Sequence, residues 1–395
     1  METFDVYIPI DRRLALARGE ELPDHTQGAA LFVDISGFTP LTEALVVELG
    51  PQRGAEELTR HLNRVYDSLI AELHRQRGSV IGFSGDAITC WLEGDDGRRA
   101  VACSLAMQAQ MSRLSEVSLP SGRVLSLAVK AVIATGAARR FSVGDPSIQV
   151  IDVLAGSILD RLAAAEHQAQ KGEVILDPAT AQALAQYVEI ESWREGHSGQ
   201  GRLGLARALI TPVQSSAWPE LPGGSLAEEK SRPWLLPAVF ERLRHGRGEF
   251  LAELRPAVAL FLRFSGIDYE GDPQAGVKLD SFIRQVQQVL SQYEGTLIQL
   301  TIGDKGSYLY AAFGAPTAHE DDSERAVNGA LELRQAALGF GFVKTVSLGI
   351  TRGLMRTGAY GGTQRRTYGV LGDAVNLAAR LMQAANHDEI LVSSS

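Results

Sequence analysis

The chain has 395 residues, a net charge of −9, 45% hydrophobic and 22% charged residues. That fits a soluble globular protein of two domains and argues against a general nucleic-acid binder. No run approaches the roughly 18 apolar residues of a membrane span, and METFDVYIPIDRRLALARG lacks the apolar core of a signal peptide. Cys90 and Cys103 lie in apolar surroundings without metal-ligand spacing, so they read as core thiols of a reducing, cytoplasmic compartment.

Residues 1–28 read as a lead-in. Ala30 to Ile35 is a short apolar strand with Asp34 at its end. Gly37 permits a tight turn, and the backbone N–H groups of Ser36 to Thr39, Phe38 among them, suit a phosphate. One helical pattern runs from about Leu41 to Gln76. Gly78 to Leu92 reads as a β-hairpin turning at Gly85 and Asp86, where an Asp is by default a turn residue. A helix over Arg98–Leu114 precedes a long strand, Val124 to Thr135, that contains Lys130. A strand and a helix follow within 148–166. Residues 187–250, with clusters such as WPELPGG, form the linker, with short strands and a helical PWLLPAVFERLRHG among its contents.

The pattern then repeats. AVALFLRFSG (257–266) echoes AALFVDISG, with Arg263 in the place of Asp34. Residues 295–313 echo the hairpin with three extra residues after Asp304, and TVSLGITRG (345–353) echoes the Lys130 strand with Ser347 in its place. The last window, TYGVLGDAVNLAARLMQ (367–383), reads as strand, glycine turn and helix. Asn376 and Arg380 stand four apart on one helical face. An amide and a guanidinium together suit a phosphate or a developing oxyanion, and a capped helix with a solvent-facing Arg accounts for them equally well.

Two windows, LFVDISGFT (31–39) and GDAVNLAAR (372–380), resemble the class III nucleotide cyclases, and the resemblance covers nearly the whole chain. It implies an α+β fold of two ferredoxin-like βαββαβ domains, 29–186 and 251–395, packed about a pseudo-twofold axis with the active site in their groove. It implies a cyclisation of ATP to 3′,5′-cyclic AMP and pyrophosphate, with guanylyl cyclase activity or a weak nucleotide-binding regulatory module as the alternatives. Asp34, Asp86 and the backbone of Ile35 would hold two Mg2+ ions, for which Mn2+ substitutes. Asn376 would orient the ribose, Arg380 would stabilise the transition state, and Lys130, six residues before Gly136, would contact the triphosphate. Phe38 would also contact substrate. The first half has Leu159 and Ala163 where the Asn and Arg would stand, so each half has lost what the other retains.

The tandem arrangement and Asp304 to Gly306 make the likeness nearest to soluble-type adenylyl cyclases. Where those enzymes read adenine with a Lys and with an Asp or Thr, this chain has Gln299 (Leu300 in another alignment) and Gly369. Gln pairs with adenine or guanine, Gly offers only backbone, and Lys305 is a further candidate for the base. The two cations of the bicarbonate site fall on Gly82 and Leu162, with Arg161 one residue away, so bicarbonate is expected to act weakly. One chain would supply the whole active site without a homodimer. The end of the chain just after a strand-like run suggests an attached C-terminal regulatory region. A diguanylate-cyclase reading fails for want of a GGDEF turn.

Overall fold

A computed structural model describes residues 3–196, 201–246, 253–303 and 306–394. In the first half, α1 (Ile10–Arg18) leads into β1 (His25–Ser36), α2 (Phe38–Leu49) and α3 (Pro51–Arg75). The hairpin β2 (Ser79–Ser84) and β3 (Ala87–Glu93), α4 (Arg98–Leu114), and the small ribbon β4 (Glu116–Ser118) and β5 (Val124–Ser126) follow. Next come β6 (Ala128–Val143), β7 (Ile151–Ala155), α5 (Ser157–Glu166), β8 (Val174–Leu176), α6 (Pro178–Leu184), β9 (Val188–Glu195) and β10 (Arg202–Leu209). The connection carries α7 (Glu228–Ser231) and α8 (Pro237–Arg244). The second half is β11 (Glu253–Ser265), α9 (Ala275–Gln292), β12 (Thr296–Thr301), β13 (Ser307–Phe313), α10 (Asp322–Leu338), β14 (Thr345–Gly361), β15 (Arg366–Leu371), α11 (Asp373–Ala384) and β16 (Glu389–Val392).

Two mixed, mostly antiparallel sheets result. The first runs β2-β3-β1-β6-β8-β10-β9 with β7 on β6, and the second runs β12-β13-β11-β14-β15 with β16 on β14. Among the described residues, only the β6–β8 and β14–β16 pairs are parallel. The strands correspond in order: Asp34 pairs with Lys130 across β1 and β6, and Arg263 pairs with Ser347 across β11 and β14. On β1, alternation sends Ala29, Leu31, Val33 and Ile35 into the core beneath α3 and α4, and Ala30 to the opposite face against Val132 and Trp91. On α3, Leu58, Leu62, Val65, Leu69 and Leu73 form one buried stripe, each side chain contributing about 1.5–3 kcal/mol.

Four sequence expectations change. The single helix over 41–76 is two helices, because Gly50 takes φ of 80° and Pro51 brings no N–H to continue a ladder. The strand predicted over 30–35 starts earlier, at His25, and the one over 124–135 splits into β5 and β6, with β6 running on to Val143. The linker expected over 187–250 gives its first part to β9 and β10, the far edge of the first sheet. Its alternation was masked by polar residues that an edge strand turns to solvent.

The fourth change concerns the lead-in, which is built into the body of the protein. Asp11, Arg12, Arg140 and Asp152 form a buried ionic network: Arg12 Nε and Arg140 Nε each donate to Asp152, at 2.9 and 2.8 Å, and Arg140 also pairs with Asp11. Ser79 Oγ donates to Asp11 at 2.7 Å. The same segment grips the second half, where Arg13 donates to the Gln364 carbonyl and Arg365 to the Tyr7 carbonyl. The halves also share their cores. Phe141, Val143, Val153 and Ala155 pack into the second core, and Tyr360 packs into the first.

Candidate active site

Asp34 ends the apolar run of β1, and the turn after it needs glycine: Gly37 has φ of 108°, and a Cβ there would meet the Ser126 carbonyl oxygen at 2.6 Å. The backbone N–H of Ile35 donates to the carbonyl of Asp86 at 3.2 Å, which ties the β1 end to the β2–β3 turn. The two carboxylates are thereby electrostatic neighbours. Asp86 is pushed up to about 6, first by burial and then by the charge of Asp34. Lys130 Nζ lies 3.3 Å from Asp34 and 2.5 Å from Glu166 on α5. Burial works against the lysine charge, but Glu166 and then Asp34 outweigh it and hold its pKa above the usual value.

Two crowded carboxylates, one of them resisting ionisation, form an oxygen-donor set that suits a hard divalent cation. Among the described residues no group of three or more His, Cys, Asp or Glu side chains has metal-binding geometry, so an ion held by this pair would take its further ligands from groups other than these side chains. The folded value for Asp86 exceeds its unfolded value, so its contribution to stability is present at low pH and is lost as pH rises through about 6. In chelator, Asp86→Asn is therefore expected to raise the urea midpoint at about pH 7.5, with the gain shrinking toward about pH 4. Equal gains at both pH values would show that Asp86 carries no such strain.

A cavity of about 390 Å3 opens between the halves. Phe38, Thr39 and Asp86 line it from the first half, and Gln299, Gly369 and Asn376 from the second. Asn376 is exposed at the start of α11, just past Gly372. Arg380, one turn further on, is exposed and is absent from the cavity lining. Asp34 and Lys130 also stand outside the lining, linked to it through Asp86. Gly369 has a plain steric cause: a Cβ there would meet the Tyr360 ring at 2.3 Å, so the aromatic ring covers the place of a side chain. Gln299 Nε2 donates to Ser84 Oγ at 3.1 Å and to Thr301 Oγ1 at 2.6 Å, bridging the halves.

A second cavity of about 200 Å3 is lined by Gly82, Leu159, Leu162, Ala163, Glu166 and Gln299, among others. Arg161 does not line it. It donates to Asp177 and to the Thr135 carbonyl, both at 2.6 Å, so shifting the alignment by one residue brings no cation there. Asp304 and Lys305 lie outside the described residues. Sequence reasoning missed Glu166, Tyr360 and Arg356. Only the last left a signal, a charge inside the otherwise uncharged strand segment LMRTGAYG.

Residues 263–395 match the family described as the Adenylate and Guanylate cyclase catalytic domain. The chain is 25% identical over 394 residues to human adenylate cyclase type 10, covering 91% of this chain and 24% of that protein, and 24% identical over 387 residues to the mouse protein. It thus spans about a quarter of the length of these curated relatives. A crystal structure of a class III adenylyl cyclase-like ATP-binding protein from Pseudomonas aeruginosa superposes with a TM-score of 0.63 at 12% identity, covering 100% of this chain and 93% of that one, which establishes the shared fold.

Proposed function

We propose that this chain, which carries a class III nucleotide cyclase catalytic domain in its second half, is an adenylyl cyclase that makes 3′,5′-cyclic AMP at the cavity between its halves. The observation that carries this reading is that Asp86 from one half and Asn376 from the other line the same cavity. The reaction joins the ribose 3′-oxygen to the α-phosphorus and breaks the bond from that phosphorus to the bridging oxygen, so pyrophosphate leaves and the hydroxyl proton is lost. Asp34, Asp86 and the Ile35 backbone are the groups that would hold two Mg2+ ions. Bound there, such ions supply charge neutralisation and a more acidic 3′-hydroxyl. Asn376 orients the ribose, Arg380 meets the charge building on the α-phosphate, and the N–H groups after Asp34 cradle the chain of phosphates. Lys130 leaves its ion pair with Asp34 to meet the triphosphate, and Glu166 keeps it within reach.

In this reading the two halves are a pseudo-dimer with one working site and one degenerate site, the second cavity. The two domains are 29–186, extended by β9 and β10, and 251–395. One chain supplies both walls, so no second copy is required. No described helix is long and apolar enough to cross a membrane. The runner-up is a nucleotide-binding module with little turnover, favoured by Gly369 and by the shared fold with a cyclase-like ATP-binding protein.

Chromatographic product analysis tests the two. Purified protein is incubated with ATP or GTP and Mg2+ or Mn2+, beside Asp34→Ala. Cyclic AMP from the wild type and none from the variant is the expected result. Cyclic GMP alone would reassign the base, and nucleotide binding without product would leave the regulatory module.

A further inference from the structure

Arg356 on β14 lines the cavity and is 3% exposed. Its Nε and Nη2 donate to Thr59 Oγ1 on α3 at 3.1 and 2.8 Å, and Nη2 also reaches the Ala359 carbonyl at 3.3 Å. Nη1 has no partner, and no carboxylate pairs with this guanidinium among the described residues. Its nearest electronic compensation is the Tyr360 ring, whose centroid is 5.8 Å away. A buried cation with an orphan donor is costly, and such a group calls for an explanation in a ligand or water that completes it. Burial accordingly pushes its pKa down to about 10.

The surroundings say what the ligand group is. Leu254 and Leu371 are the cross-strand neighbours of Arg356, and Leu58 and Leu62 line the same cavity from α3. Around Arg356 itself these leucines and the Tyr360 ring make an apolar, aromatic-flanked patch, which suits a flat base better than a phosphate, while the polar lining of Asp86 and Asn376 lies elsewhere in the cavity wall. Among the other polar side chains of the lining, Gln299 is the amide that the second half contributes from β12. Its Nε2 is committed to Ser84 and Thr301, which leaves the carbonyl oxygen as the group without a partner. A donor and an acceptor in one cavity lining are chemically complementary to the N7 acceptor and N6–H donor of adenine. Guanine presents two acceptors on that edge, and its O6 would face the Gln299 oxygen.

We propose that Arg356 contacts the substrate base, donating to the purine N7 while the Gln299 oxygen accepts from the 6-amino group of adenine, and that Arg356 supplies affinity for the base and Gln299 the selectivity for adenine. The inference rests on the cyclase reading above and names the base-selecting groups of that site. Tyr360 fixes the arrangement by covering Gly369 and flanking the guanidinium.

The test is equilibrium binding to the full chain, with Mg2+, of non-cyclisable methylene analogues of ATP, GTP and 7-deaza-ATP, alongside kcat on ATP. Arg356→Met is expected to weaken the ATP analogue about 10–100-fold, the loss of one charge-assisted hydrogen bond. Because N7 is an acceptor in both purines, Arg356→Met should weaken the GTP analogue by a similar factor and leave the ATP-to-GTP preference, which the Gln299 oxygen sets, within about threefold. In the wild type, removal of N7 should weaken binding by a similar factor, and in Arg356→Met it should add nothing. The wild-type comparison needs no variant to fold. Thr59→Ala removes the tie to α3 and should leave affinity within about threefold. Equal losses from Thr59→Ala and Arg356→Met, or tight binding of 7-deaza analogue by the wild type, would make Arg356 a link between the halves and overturn the assignment. Absence of binding by every nucleotide, with no cyclic product, would instead overturn the cyclase reading.

Discussion

Arg380→Ala is expected to lower kcat for cyclisation by about 10²–10³-fold while changing KM far less. The argument starts from where the side chain stands. It is exposed, makes no ion pair among the described residues, and lies one helical turn from Asn376, which lines the cavity. A guanidinium with no protein partner loses nothing by swinging onto an arriving triphosphate. In the proposed reaction the contact it would make there strengthens as negative charge builds on the α-phosphate, so its removal is expected to fall on the transition state rather than on substrate binding. Arg380→Lys keeps the charge and loses the planar fork, so an intermediate rate is expected. Steady-state kinetics on ATP with both variants checks this. A kcat for Arg380→Ala within about threefold of wild type would remove Arg380 from the mechanism.

The second large effect is on stability. Arg140→Met is expected to cost about 3–5 kcal/mol, read as a fall in the urea midpoint. Arg140 is 5% exposed and holds both Asp11 and Asp152, each 9% exposed. Its removal leaves Asp11 with the Ser79 hydroxyl and the Arg12 backbone N–H, while Arg12 still serves Asp152. The penalty is that of a stranded buried carboxylate, so replacing Asp11 by Leu in the same protein should recover part of it. A loss below about 1 kcal/mol would show that water reaches the network once the arginine is gone.

Most elements were legible because they announce themselves locally. A short apolar run marked β1, its repeat marked β11, a glycine turn marked β15 into α11, and the ordered motif pair pointed to Asp34 and Asn376. The lead-in was not legible, since DRR at 11–13 looks like a solvated turn of helix and becomes buried only through Arg140 and Asp152, far away in sequence. The helix break at Gly50 and Pro51 was legible in principle and was overridden by the apolar period on either side of it. Gly369 looked like a missing recognition group, but the structure gives it a steric cause that only a cross-strand contact with Tyr360 reveals.

The exchanged packing of the halves bears on how the protein behaves when dilute. Phe141 and Val153 sit in the second core, Tyr360 sits in the first, and residues of the N-terminal segment touch both. Because one polypeptide joins the walls of the cavity, their encounter is intramolecular, governed by an effective concentration rather than by the amount of protein present. A site assembled from two separate chains empties as the protein is thinned out. Here the two walls stay together at any abundance, so the make-up of the cavity does not depend on copy number.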